Sequence, residues 1–218
     1  MTEPDVALTD LGLALECGLL AALLARRGSR REPLRSWFLL LFLSAGVAAF
    51  LGGLYHGFLL EAPAAAVEAI WLVILAAAGL TALSCWAVGA AILFAPEKAR
   101  RVLLLAILLL ALYLASVLFV MRDFRVVVLN SAAASLFLLT AFLAAWRRRR
   151  RRRLLWGAAG AGLMLAAGGI QQSGLDLHER YFTHNALYHV VAGIALFLIF
   201  RGATALLDRT MQSAEAAR

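Results

Sequence analysis

The sequence predicts an all-α fold, a bundle of seven helices that each cross a membrane. The chain has 218 residues, of which 63% are hydrophobic and only 16% are charged. Its mean hydropathy is +0.85. A soluble domain usually carries about 25% charged residues, so this excess of apolar surface must face lipid. Seven apolar runs have the ~20 residues that a helix needs to cross ~30 Å of hydrocarbon.

The seven runs follow one another with short connections. Strands do not explain them, because period-two alternation is absent and each run is too long for a membrane strand. No linker separates a soluble segment, so we expect residues 1–218 to form a single domain. The acidic start of the chain does not match a signal peptide, so we expect the first span to be retained. The predicted spans are residues 8–25, 36–59, 66–94, 102–120, 126–146, 154–172 and 183–200.

The basic residues predict how the bundle is oriented. All of the 21 Lys and Arg residues except Arg122, Arg125 and Arg180 fall at one end of the spans. Because cytoplasmic loops collect Lys and Arg, we expect the amino terminus outside and the carboxyl terminus in the cytoplasm. The run of arginines at 147–153 fits a cytoplasmic loop facing anionic lipid better than a nucleic-acid patch. We therefore expect a multi-pass protein of a bacterial inner (plasma) membrane, with membrane lipids as partners and no nucleic acid.

All four histidines lie toward the predicted outer end. His56 ends span two, His178 lies in the loop before span seven, and His184 and His189 lie in its first turns. At 1.5 Å per residue, His189 lies ~9 Å and Glu16 of span one ~10 Å below the outer surface. Ionisable side chains at such depth are costly and usually face the bundle interior beside a partner.

Four other polar residues are candidates for the same site. Glu68 lies near the entry of span three. Asn185 shares a helix face with His189 because they are four residues apart, while Tyr188 lies on a different face. Asp10 is a candidate ligand-binding residue, although its simplest interpretation is a helix N-cap. These residues could surround the histidines at the outer end of the bundle.

Three of the histidines can also be interpreted without any role in a functional site. His56 fits a hydrogen-bonded histidine at the membrane interface, His178 a solvated loop residue, and His184 an amphipathic side chain at the level of the head groups. The two cysteines, Cys17 and Cys85, fall inside apolar runs, so we expect buried thiols without a disulfide.

This arrangement of spans and histidines resembles the superfamily of alkaline ceramidases and progestin/adiponectin receptors. The resemblance rests on seven spans, on His56 at the end of span two and on His184 and His189 at the start of span seven. It implies a zinc site made by one histidine of span two and two of span seven. Asn185 or His184 would take the place beside His189, and Gly52 stands where that superfamily carries a serine.

Three segments also resemble an uncharacterised group of small bacterial seven-span proteins. They are residues 9–16, 52–58 and 184–189, which contain the candidate polar residues of spans one, two and seven. This second resemblance implies the same span pattern and no particular activity.

The first functional hypothesis is a metal-dependent intramembrane hydrolase. Zinc held by His56, His184 and His189 would lower the pKa of a bound water to ~7 and polarise a lipid amide or ester. Glu16 or Glu68 would act as the general base. We expect the substrate to enter from the outer leaflet.

The second hypothesis is a non-catalytic transporter, receptor or sensor that binds a ligand, proton or cation in a polar pocket. A haem site that uses His56 and His189 is a third interpretation. A retinal protein is excluded, because the single lysine, Lys98, lies in a predicted inner loop and cannot form a Schiff base inside a span.

Overall fold

The computed structural model confirms the seven-helix fold. It describes residues 1–27, 32–178 and 181–215, with no side-chain description beyond residue 208. All seven helices are long and apolar enough to cross a membrane, as expected of a multi-pass membrane protein. They are α1 (Pro4–Ala25), α2 (Pro33–Leu54), α3 (Ala64–Leu93), α4 (Pro96–Phe119), α5 (Phe124–Arg149), α6 (Arg153–Ser173) and α7 (His184–Glu215).

Several helices extend beyond the apolar runs that predict them. Proline occupies the first turn of α1, α2 and α4, where its fixed φ and missing N–H are tolerated. Because hydropathy alone ignores such polar or charged first turns, these helices begin three to six residues before the predicted spans. The interpretation of Asp10 as an N-cap is wrong, since α1 begins at Pro4 and Asp10 lies in its second turn.

Six of the helices form a closed ring. In the order α1, α2, α3, α5, α6 and α7, each helix packs against the next, and α7 returns to α1. Helix α4 lies outside this ring against α3, and it buries only Ala106, Tyr113 and Val117. Most of its leucines are exposed on the surface of the bundle, where a membrane would cover them.

The two ends of the ring differ in chemistry. At the arginine-rich end, where α1 finishes and α2 begins, Arg35 is only 8% exposed. Its guanidinium donates to the carbonyl oxygens of Ala25 and Arg27 at 2.5 and 2.9 Å. These carbonyls belong to the end of α1 and have no partner within the helix, so the Arg35 side chain caps the carboxyl-terminal end of that helix. This arginine therefore has a structural role besides its contribution to the charge pattern.

The opposite, amino-terminal end holds a local departure from α-helical geometry. Helix α2 continues into a π-helical turn over Tyr55–Leu59. The carbonyl oxygens of His56 and Gly57 accept hydrogen bonds from the backbone N–H groups of Glu3 and Thr2 at 3.1 and 3.2 Å. Short π-helical segments are frequent at functional sites. Here the turn ties the start of the chain to the end of α2 and carries His56.

Candidate functional site

The six-helix ring encloses an elongated cavity of about 270 Å³. Every helix of the ring lines it, whereas none of its described lining residues belongs to α4. Along α7 the lining extends from Asn185 to Ile199, a distance of ~21 Å at 1.5 Å per residue. Toward the arginine-rich end the walls are mostly apolar. The polar lining at the amino-terminal end consists of Asp10, His56, Gln171, Asn185, Tyr188 and His189.

A buried acid–imidazole pair lies at that polar end. The Asp10 carboxyl oxygen Oδ1 is 3.2 Å from Nε2 of His189, and the two side chains are only 5% and 11% exposed. The other ring nitrogen, Nδ1, is 3.2 Å from the hydroxyl of Thr9. Both nitrogens of His189 are therefore engaged by consecutive residues of α1, which fixes the ring against the wall of the cavity.

The hydrogen-bond partners assign the protons of this pair. The Thr9 hydroxyl has one hydrogen and lies 2.8 Å from the carbonyl oxygen of Asp5, which can only accept. Such back-bonding is usual for threonine inside a helix, so Thr9 accepts from Nδ1–H of His189. Nε2 and the Asp10 carboxyl then share one further proton. The pair carries no net charge wherever that proton lies, consistent with its burial.

A glycine makes room for the Asp10 carboxyl. Gly52 of α2 faces it so closely that a Cβ at this position would lie 2.6 Å from Oδ2 of Asp10. A serine, as in the superfamily that the sequence resembles, would not fit without moving the acid. The close approach of α1 and α2 is therefore adapted to this carboxyl.

His56 completes the acid and imidazole groups of the cavity. It lines the same end as Asp10 and His189, and its Nδ1 lies 2.5 Å from Oε2 of Glu3. Three predicted residues from three different segments thus share one end of one cavity. The contact with Glu3 links residues 53 positions apart, which no local sequence pattern could have indicated.

The other two histidines lie elsewhere. The backbone N–H and ring Nδ1 of His184 lie 2.6 and 2.8 Å from the Asp176 carboxyl, which closes the start of α7. The backbone N–H that donates from His184 holds the pKa of Asp176 below its usual range, with a further contribution from the ring. His178 pairs through its backbone with Phe182 in the loop before α7. The described residues contain no group of three His, Cys, Asp or Glu side chains able to hold a metal, so the predicted set with His184 is not assembled.

Neither predicted general base lines the cavity. Glu68 forms an ion pair with Arg122, and both side chains are about half exposed. Glu16 lines a separate surface groove between α1 and α7, together with Thr9, Gly193 and His189. The acid that does reach the cavity is Asp10, six residues and therefore ~240° around the helix from Glu16.

Aromatic side chains surround the polar end of the cavity and form what we call the aromatic collar. Trp71 lines the cavity, and its indole N–H donates to the carbonyl oxygen of Arg122 at 2.9 Å. Neighbouring ring centroids in the collar are 5.1 to 6.2 Å apart. The collar consists, in order of contact, of His56, Tyr55, Trp71, Phe124, Tyr188 and His189.

One polar atom of the cavity has no partner. The side-chain oxygen of Gln171 is buried and makes no hydrogen bond within the described part of the chain. The two buried cysteines are free thiols, as expected.

The chain belongs to a family of unknown function, DUF6962, whose model matches residues 6–208. The match includes every residue that lines the cavity and stops before the end of α7. No curated protein and no solved structure gives a significant match to the chain.

Proposed function

We propose that this member of the DUF6962 family binds an elongated amphipathic molecule in its interior cavity and acts as a receptor, sensor or carrier. The observation that carries this proposal is the distribution of polarity along the cavity. The lining extends for ~21 Å along α7 and is apolar from Ala192 to Ile199, while the acid, imidazole and amide groups meet at the opposite end. Ligand sites are typically concave, mostly apolar and supplied with a few converging polar groups.

The unpaired oxygen of Gln171 supports a bound ligand. A buried acceptor without a hydrogen bond costs about 1–3 kcal/mol. A ligand whose head group donates to this oxygen would recover that free energy. The polar end would then fix the orientation of the ligand, while the apolar walls contact its chain.

The membrane would supply such a ligand. With the arginine-rich end in the cytoplasm, as the positive-inside rule favours, the polar end of the cavity would lie near the outer face of the membrane. A lipid of the outer leaflet would place its head group at that depth. We therefore propose a membrane lipid or a lipid-derived amphiphile as the ligand class.

Lipids that co-purify with the protein test this proposal. We expect mass spectrometry of the protein in nanodiscs to detect a single-chain or otherwise slender amphiphile that resists washing. Ala192→Phe fills the cavity, because Ala192 is buried and lines it. Val190→Phe is the matched control, since Val190 is 41% exposed on the same helix. Loss of the bound amphiphile in Ala192→Phe alone is expected, and equal retention in both variants would refute the proposal.

Metal-dependent hydrolysis of a lipid amide or ester is a second candidate. One observation favours it: Asp10, His56 and His189 come from three helical segments and line the same end of the cavity. Imidazole and carboxylate are ligands that zinc accepts, and catalytic zinc sites keep one position open for water. In this proposal Asp10 replaces His184 in the predicted set, and the three side chains would have to move together on zinc binding, because no group of three among the described residues is placed to hold a metal. The metal would supply Lewis-acid activation of the carbonyl when bound.

Metal content separates the two candidates. If the protein is a zinc hydrolase, one equivalent of zinc should remain after dialysis of the wild type and be lost in His189→Ala. His178→Ala is the control, because His178 lies in the loop and does not line the cavity. A wild-type protein that retains no zinc after incubation with excess ZnCl₂ would eliminate the hydrolase candidate and leave the binding proposal intact.

A further inference from the structure

We propose that the head group bound in this cavity is an organic ammonium ion, so that the ligand is a long-chain amine or a related cationic amphiphile. This inference rests on the proposed binding function and specifies its ligand class. Three independent features of the polar end support it: the aromatic collar, the balance of charged residues, and the unpaired oxygen of Gln171.

The aromatic collar offers the surface that an ammonium ion prefers. Cations are attracted to the faces of Trp, Tyr and Phe within about 6 Å of the ring centroid, and cages of such rings bind organic ammonium ions. Trp71, Phe124 and Tyr188 all line the cavity. The ring centroid of Phe124 is 6.2 Å from that of Trp71 and 6.0 Å from that of Tyr188. The hydrogen bond from the Trp71 indole to the backbone fixes the largest ring in place.

The charges around the collar favour a cation over an anion. Asp10 lines the cavity, whereas none of the described lining residues is Lys or Arg. The guanidinium of Arg122, whose carbonyl oxygen accepts from Trp71, is engaged by Glu68. Two more acids at this end, Glu3 and Asp5, are held by His56 and Thr183. The buried pair of Asp10 and His189 carries no net charge, so an anionic head group would find no Lys or Arg side chain in the described lining to neutralise it.

The acceptors at this end match a donor-rich head group. An ammonium ion carries N–H donors and no acceptor, as the lysine ammonium does. Gln171 presents a buried oxygen without a partner, and Asp10 presents a carboxyl whose second oxygen packs against Gly52. A neutral hydroxyl could satisfy one acceptor, but it would gain nothing from the aromatic faces.

Three probes with the same chain and different charge test the inference. Binding of hexadecylammonium, hexadecanol and hexadecyl sulfate is measured by native mass spectrometry on the protein in nanodiscs. We expect hexadecylammonium to bind at least tenfold more tightly than the other two. Similar affinity for all three would overturn the ammonium inference and leave the proposed function standing. Failure of all three to bind would overturn the proposed function itself.

Variants of the collar and the acid test the mechanism of selection. Asp10→Asn and Tyr188→Leu should each weaken hexadecylammonium binding about tenfold and hexadecanol binding by much less. Elution at the wild-type volume in size-exclusion chromatography shows that the variants fold. Phe58→Leu is the matched control, because Phe58 is an exposed aromatic residue in the same π-helical turn as His56. If Phe58→Leu has the same effect as Tyr188→Leu, the collar is not the source of selectivity.

Discussion

Asp10 and Glu16 are carboxyl groups on the same helix, yet they face different surroundings. Asp10 is 4% exposed, faces the interior cavity and pairs with His189. Glu16 is partly exposed and lies in the groove between α1 and α7 on the surface of the ring. His189 lines both spaces, so the two acids lie on either side of one imidazole. Position around the helix axis, and not depth along it, decides which acid serves the cavity.

Both acids are accommodated by a glycine on a neighbouring helix. A Cβ at Gly52 would lie 2.6 Å from the Asp10 carboxyl, and one at Gly193 would lie 2.7 Å from the Glu16 carboxyl. The two distances are nearly equal, but the consequences differ. Asp10 is held by His189 inside the ring, whereas Glu16 can swing outward along its groove. Variants of the two acids and of the two glycines can therefore test this difference.

The largest expected effect comes from separating the buried pair. Asp10→Ala leaves His189 buried without its partner, and His189→Ala does the same to Asp10. We expect each change to lower the free energy of unfolding by about 3–5 kcal/mol, the usual cost of breaking a buried pair. Glu16→Ala should cost less than about 1 kcal/mol, because no partner loses a buried contact. Chemical denaturation in detergent micelles would measure the three values.

A double-mutant cycle identifies the source of this cost. If Asp10 and His189 act as a pair, the variant with both alanines should be less destabilised than the sum of the single changes. Additive effects would show that the two residues contribute separately. A Glu16→Ala variant as unstable as Asp10→Ala would contradict the distinction between the two acids.

Alanine in place of either glycine should lower the free energy of unfolding by less than the loss of the buried pair does. Gly52→Ala forces a methyl group against a fixed carboxyl, so we expect a loss of about 1–3 kcal/mol, typical of overpacking. Gly193→Ala should be nearly neutral, because the end of the Glu16 side chain can move away. Adding Asp10→Ala to Gly52→Ala should remove the collision. If Gly193→Ala is the more damaging change, the Glu16 carboxyl is held as firmly as that of Asp10.

The fold could be predicted because its signals are local and strong. Apolar runs of ~20 residues give the spans without any knowledge of tertiary contacts. The order of the helices around the ring, and the position of α4 outside it, depend on packing between distant segments and were not predicted. The π-helical turn at Tyr55–Leu59 also carries no composition that distinguishes it from an ordinary helix end.

Only part of the site could be predicted, because the sequence gives the depth of a residue along its helix but not the helix that it faces. His56 and His189 were identified from their depth, and Asn185 and Tyr188 from their positions beside His189 in span seven; all four line the cavity. Depth says nothing about direction around a helix, so Glu16 was chosen as a catalytic acid and Asp10 was interpreted as an N-cap. Asp10 and His189 are far apart in the sequence. Only the packing of α1 against α7 brings them together.

The smallest expected effect concerns a third carboxyl, that of Asp176, which lies in an exposed loop outside the helices. The backbone N–H of His184, and then its ring, lower the pKa of Asp176 from the usual value of about 3.9. A lowered pKa in the folded state means that this contact stabilises the fold above about pH 4 and is lost as the pH falls further. Asp176→Asn should therefore lower Tm slightly at pH 6, and the difference from the wild type should shrink as the pH falls below about 4. Glu61→Gln is the control, because Glu61 is an exposed acid in the loop before α3. A Tm difference for Asp176→Asn that does not shrink as the pH falls below about 4 would show that the carboxyl charge is not what stabilises the start of α7.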